Sequence, residues 1–219
     1  MKNHLKRIAT PRTWILDRKG AKFTLRPNPG AHNLNQGLAL GFVLRDLLKL
    51  ASTMGEVEKL LNNNEVLVDG NRKKNRKEIV GLFDRITVTA LNKYYTLNLD
   101  FKGRLVAEEL TAKDAEFKTC KVVGKTAIKG GKLQFNLYDG KNIITDKKAK
   151  VGDSVILSLP SLEIKEILSL KEGAKVFLTK GKRAGATGKL KSLEGETAKY
   201  TNEAGEEIET TKKYLYVMK

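Results

Sequence analysis

Residues 62–77 read N-N-N-E-V-L-V-D-G-N-R-K-K-N-R-K, and the chemistry open to them is the neutralisation of phosphate. The apolar run Val66 to Val68 leads into Asp69-Gly70, a pair suited to tight reversal because glycine takes positive φ without strain. Five of the six residues from Arg72 to Lys77 are basic: Arg72, Lys73, Lys74, Arg76 and Lys77. Cations on a rigid turn lose less freedom on binding than cations on a tail. A solvated face, or lysines placed to blunt a strand edge, would need fewer charges. The pattern predicts contact with RNA.

A second candidate runs from Glu172 to Leu190, where an apolar strand enters a loop rich in glycine and lysine. Gly181, Gly185 and Gly188 would let backbone approach phosphate closely, with Lys180, Lys182 and Arg183 supplying charge. An ordinary flexible hairpin reads the same way. Two apparent nucleotide loops fail on spacing. Thr119 stands where Gly124-Lys125-Thr126 needs its leading glycine, while Gly188-Lys189 is followed by Leu190 and preceded by Arg183 at the glycine position. Lys125 reads as a solvent-facing strand residue.

Catalysis has little to work with. His4 and His32 both lie in or beside the basic N-terminal stretch, and Cys120 is the single cysteine, so no Cys–His or Ser–His–Asp set, disulfide or cysteine zinc site is expected. Glu206, Glu207 and Glu209 read as a solvated acidic hairpin face. Trp14 is open to two readings, stacking on a base or docking onto the protein. No enzyme activity, cofactor, metal or small-molecule substrate is implied.

The charge balance agrees with a polyanionic partner. Forty-two Lys+Arg against 25 Asp+Glu leave +17 on 219 residues, an excess that destabilises a compact fold by self-repulsion. No apolar run approaches the roughly 20 residues that span a bilayer, and no signal-peptide core opens the chain, so nucleic acid and not membrane is the expected partner. The first 30 residues hold eight basic residues against one acidic, with Pro11, Pro27, Pro29, Gly20 and Gly30 among them. An extended arm that orders only on binding is expected there.

The elements that must position these groups follow. Leu38, Leu40, Phe42–Leu44, Leu47, Leu48 and Leu50 have helical spacing, and a second helix is expected from Glu56 to Leu61. Val66 to Val68 should return through a strand from Arg85 to Ala90. From Lys93 the pattern is β, with Thr111 to Asp114 as a capping box, and after Pro160 four strands suggest a small barrel. The expected divisions are an arm over 1–36, an α/β module over 37–92, a central β domain over 93–160 and a terminal barrel over 161–219. The fold class is multidomain α+β.

The order of these pieces resembles a known family. His4-Leu-Lys-Arg-Ile-Ala-Thr-Pro11-Arg-Thr-Trp14 and Arg26-Pro-Asn-Pro-Gly30 are similar to the N-terminal signature of the archaeal and eukaryotic small-subunit ribosomal protein number four of the "e" series. Gly41 to Leu50 and Leu61 to Gly70 resemble its helix–helix–hairpin RNA-binding module. Cys120 to Thr126 and Lys129 to Gly140 resemble its central domain, and Glu172 to Gly188 a KOW motif on an SH3-like barrel. The resemblance implies a cytoplasmic structural constituent of the small ribosomal subunit, with ribosomal RNA and neighbouring ribosomal proteins as partners. It implies RNA contacts at Lys6, Arg7 and Arg12 of the arm and at Arg45 of the first helix; Trp14, Arg18, Lys19, Lys22 and Arg26 of the arm and Lys49 of the first helix are further RNA-binding candidates. The hairpin cluster and Lys180, Lys182 and Arg183 complete the set. Thr179-Lys180-Gly181 departs from the family's Thr-Gly-Gly, and the C-terminus is shorter than the family pattern. A free translation or transcription factor, or an RNA-modifying enzyme's accessory module, is the alternative.

Overall fold

A computed structural model describes residues 4–63, 65–128, 130–202 and 205–219; Lys129, in the segment matched to the central domain, lies outside them. The chain divides into two compact units, Met1–Asn98 with Arg104–Glu116, and Leu99–Gly103 with Phe117–Lys219.

In the first unit the arm is folded, which corrects the expectation of an extended segment. Leu5–Lys6 pairs antiparallel with Phe23–Thr24, and a 3₁₀ turn, Arg7–Ala9, follows the first strand. The reason is that arm cations satisfy arm carbonyls. Arg18 donates to the carbonyls of Ile8, Thr10 and Pro11 at 3.0–3.2 Å, and Arg7 to that of Asp17 at 2.8 Å. Trp14 is 3% exposed, packs its ring on Phe42 and donates its indole N–H to the Leu34 carbonyl. The second half of the arm is clamped by glycines that admit close neighbours. A Cβ on Gly81 would fall 2.2 Å from the His32 ring, and one on Gly30 would fall 2.6 Å from Ile79.

Gly37–Ala39 pairs with Ile79–Gly81 and runs into helix Leu40–Phe42, which widens into a π-helical turn over Val43–Leu47. That element ends at Leu47, three residues short of the expected limit at Leu50, and Lys49 at φ +53° turns the chain away. The second helix spans Met54–Asn63. Thr53 caps it by accepting the Glu56 N–H, while Glu56 reaches back to the N–H groups of Ser52 and Thr53, a reciprocal box that holds the Glu56 carboxyl below its usual range. Val57 and Leu61 bury its apolar face against the core containing Leu40, Phe42 and Leu44.

The module's sheet has the order Asn71–Arg72, Val66–Val68, Arg85–Val88, Lys93–Leu99, Leu105–Leu110. Asn71–Arg72 is therefore the hairpin return, and Arg85–Val88 pairs with the other side of Val66–Val68. The sheet also runs past residue 92: Lys93–Leu99 pairs with Arg85–Val88 and continues it. Thr111 caps Ala112–Ala115 through the Asp114 N–H, as its spacing predicts.

The second unit holds two five-stranded antiparallel sheets. One has the order Asn142–Thr145, Leu133–Leu137, Phe117–Ala127, Ser154–Ser158, Ile164–Leu168; the other Glu207–Thr211, Thr197–Asn202, Thr187–Glu194, Lys175–Leu178, Leu215–Val217. The long strand Phe117–Ala127 serves two partners, with a register shift between Val122 and Gly124. Ile164–Leu168 pairs with Ser154–Ser158, so this sheet crosses the division expected at residue 160. Cys120, Val122, Phe135, Leu137, Val155 and Leu157 fill one core; Val176, Leu178, Leu190, Tyr200 and Leu215 fill the other.

Two lysines are buried in this unit. Lys118 lies 3.0 Å from the buried Asp139 carboxylate. Lys121 instead donates to three carbonyls, those of Lys212, Lys213 and Leu215, at 3.4, 2.9 and 2.7 Å. Burial, helped by the neighbouring Lys212 charge, pushes its amine down to about 8. No helix among the described residues is long and apolar enough to cross a membrane.

Candidate nucleic-acid interface

Asp69 and Gly70 have φ of +50° and +77°, the two positive values of a type I′ turn. The Asp69 carboxylate also accepts the Arg85 N–H at 3.0 Å, which ties the turn to the next strand. The basic residues do not sit on the turn itself. Arg72 closes the return strand, and Lys73 to Lys77 form the connection that follows.

That connection is pinned by its backbone. The Arg76, Lys77 and Glu78 carbonyls accept N–H groups from Gly41, Asn28 and Leu40 at 2.7–2.8 Å. A Cβ on Gly41 would meet the Arg76 carbonyl at 3.2 Å, so glycine is what lets the helix start come this close. The backbone that carries Arg76 and Lys77 is thus held by the module and the arm together. Lys74, Asn75, Arg76 and Lys77 line an open hollow with Asn28 and Asn62. Those two asparagines escape sequence reading because nothing in their spacing relates them to the basic run. Their amides both donate and accept, which suits base edges and sugars as well as phosphate.

Carboxylates stand among these cations. Arg76 lies 3.1 Å from Glu58, Lys73 2.7 Å from Glu78 and Arg72 3.9 Å from Glu65. Arg45 is held bidentately by Asp46 at 2.8–3.2 Å. Lys74 and Lys77 have no carboxylate within 4 Å among the described residues. All these pairs are part-exposed, where an ion pair contributes little and exchanges with another anion readily.

In the arm, Lys6, Arg12, Lys19 and Lys22 are exposed, and Lys22 lies over the Phe23 ring. Arg7, Arg18 and Arg26 are half-buried, the first two engaged with carbonyls. Lys49 is exposed at the end of the first helix. Trp14 is the correction here: its ring is enclosed, so the folded arm does not present it for stacking.

The terminal loop also departs from expectation. Lys180, Lys182 and Arg183 are exposed, and Arg183 pairs with Glu206 at 3.0 Å. Yet Gly185 and Gly188 serve the protein's own packing: a Cβ would fall 2.1 Å from the Asp100 carbonyl at the first and 2.4 Å from the Thr201 carbonyl at the second. Only Gly181, at φ +100° with its nearest neighbour at 3.8 Å, is open to an outside group. Glu207 pairs with Lys191, which keeps the acidic hairpin face solvated.

His32 has a structural role in this arrangement. His32 is buried and hydrogen-bonded to both oxygens of Asp84 at 3.0 Å, and Asp84 in turn accepts the Gly81 N–H at 2.8 Å. This set orients arm against sheet. Among the described residues no three His, Cys, Asp or Glu side chains gather as a metal site would require.

Comparison with known proteins agrees with the build of the chain. Residues 91–164 match the profile of ribosomal family S4e and residues 1–35 that of the RS4NT domain. Small ribosomal subunit protein eS4 of Methanocella arvoryzae is 40% identical over 222 residues, covering 99% of this chain and 94% of that protein. The eS4 protein of Archaeoglobus fulgidus is 38% identical, covering 98% and 92%. The crystal structure of 30S ribosomal protein S4e from Thermoplasma acidophilum superposes with a TM-score of 0.72 at 30% identity, over 84% of this chain and 95% of that one. The chain belongs to the ribosomal S4e family.

Proposed function

We propose that the protein is a structural constituent of the small ribosomal subunit, in the cytoplasm, and binds ribosomal RNA without catalysing a reaction. The observation that carries the reading is the segment Arg72 to Lys77, five cations on a backbone that the module and the arm hold in place before any RNA arrives. Lys6, Arg7, Arg12, Arg18, Lys19, Lys22 and Arg26 extend the contact along the arm, and Arg45 and Lys49 along the first helix. Lys180, Lys182 and Arg183 add a separate contact through a KOW-type, SH3-like terminal barrel. In this reading residues 1–36, 37–92, 93–160 and 161–219 act as arm, RNA-binding module, central domain and barrel, although their strands cross those limits. Because the arm is already folded, binding orders less chain than a flexible tail would require, and folded RNA is recognised by the spacing of fixed cations. Neighbouring ribosomal proteins complete the surroundings.

Reversing Arg72, Lys73 and Lys74 to Glu tests this. The expected result is loss of binding to small-subunit ribosomal RNA with an unchanged thermal melt, and loss of the protein from salt-washed small subunits. Undiminished binding by the triple variant would remove the hairpin from the interface. Crosslinks on transfer or messenger RNA, with the protein in light sedimentation fractions, would instead indicate a free factor.

A further inference from the structure

Three arginines of the arm, Arg7, Arg12 and Arg18, and a fourth far from them in sequence, Arg104, line one hollow of the first unit. Arg104 reaches it through the backbone, because the Leu105 N–H donates to the Thr13 carbonyl at 2.7 Å and starts that strand beside the arm. Arg7 and Arg18 are held by the arm carbonyls, so the donors left over from those bonds point in set directions. A guanidinium has five N–H groups, and the carbonyl bonds leave some of them to spare. Arg12 is exposed and has no carboxylate within 4 Å among the described residues.

The rest of the lining is unlike a plain phosphate cleft. Ile15 and Leu16, half-buried beside the enclosed Trp14, give the hollow an apolar wall. Two acids also line it: Asp46 clasps Arg45, and Asp17 accepts the Lys19 N–H at 3.0 Å. The volume is about 820 Å³, within the roughly 300–1,000 Å³ range of small-ligand sites. A duplex backbone running over the surface would use the arginines and leave the wall idle. A splayed-out nucleotide uses both, since guanidinia bind phosphate bidentately and unstacked bases seek apolar or planar surfaces.

We propose that this hollow is a pocket for a single unpaired nucleotide of the bound RNA, its phosphate on Arg12 and Arg104 and its base against Ile15 and Leu16. The proposal rests on the RNA-binding reading above and adds Arg104 to it.

The test uses the full-length protein and small-subunit ribosomal RNA, with affinity measured across a salt series. Arg12→Ala and Arg104→Ala should each weaken binding about tenfold and lower the salt slope by about one. Arg104→Lys should keep the slope and regain only part of the affinity, because an ammonium cannot bind phosphate bidentately. A benzophenone side chain at position 16 should crosslink to one nucleotide position of the RNA. Trp14 fluorescence reports whether the arm is still folded; if Arg104→Ala disturbs it, Arg12→Ala and the lysine variant decide. Wild-type affinity and slope in the arginine variants, with the hairpin triple variant still inactive, would overturn the pocket and leave the RNA-binding reading standing. Full binding by the hairpin variant as well would bring down that reading itself. A crosslink from position 16 to an acidic protein segment in intact subunits would overturn the pocket in favour of a protein contact.

Discussion

Replacing Glu58 by Gln should make the protein bind RNA more tightly, the reverse of what the loss of an ion pair suggests. Glu58 lies 3.1 Å from the Arg76 guanidinium, with the two side chains 51% and 32% exposed. A phosphate seated on the far side of that guanidinium would stand about 6 Å from the carboxylate. In water, like charges at about 6 Å repel by about 0.7 kcal/mol, a factor of about three in affinity. Near physiological salt the screening length is about 8 Å, and the gain should shrink toward twofold. Folding stability should fall by less than about 1 kcal/mol, as is usual for an exposed pair. Fluorescence anisotropy with labelled small-subunit RNA at two salt concentrations, with a thermal melt beside it, reads both quantities. Equal or weaker binding by a well-folded E58Q protein would mean that Glu58 orients Arg76 or that Arg76 lies outside the interface, and either refutes the competition described.

Gly188→Ala should destabilise the second unit by about 1–3 kcal/mol in denaturant, since its Cβ would meet backbone at 2.4 Å; Gly124→Ala, with its nearest contact at 3.4 Å, should be nearly silent, and equal effects would discredit the close-approach role. Lys121 titrates near 8 in the fold against 10.5 ordinarily, so between those values the unfolded chain holds more protons and this residue's contribution to stability rises with pH. That rise is about 3 kcal/mol in full; Lys121→Met should flatten it, and parallel stability-versus-pH curves for the two proteins would reject the assignment. Trp14, the single tryptophan, should emit at short wavelength and resist iodide quenching without RNA, whereas water-exposed emission would restore the picture of an unfolded arm. Trp14→Ala should cost about 3–5 kcal/mol of the first unit's stability.

Some of this was legible in the residues and some was not. Asp69-Gly70 declares its turn because only a narrow set of dipeptides tolerates two positive φ values, and both helices declare themselves through apolar spacing. The arm misleads because proline, glycine and arginine are also the composition of an extended tail. What folds it are contacts between distant positions, such as His32 with Asp84 and Thr13 with Leu105. Gly185 and Gly188 mislead for a related reason: a glycine that admits a neighbouring strand and one that admits a phosphate look alike in sequence. Arg104 was invisible as a partner of Arg12 because only strand placement joins them. That Lys93–Leu99 returns to the sheet of Arg85–Val88 across residue 92 was not legible, because local pattern does not say which strand the next one pairs with.

The clamped arm has a consequence for the order in which this chain matures. Gly30 is closed over by Ile79, His32 needs Asp84, and Thr13 waits for Leu105. During synthesis this basic stretch therefore emerges while the residues that shape it are still untranslated. At about 5–20 residues per second, the 70 or so residues that follow take roughly 4–14 s to appear. Through that interval the nascent chain is a bare polycation, attracted to any RNA by charge alone. Selectivity by shape arrives only when the later strands close on the arm. Slow codons ahead of residue 105 would prolong this promiscuous phase without altering a single contact of the finished protein.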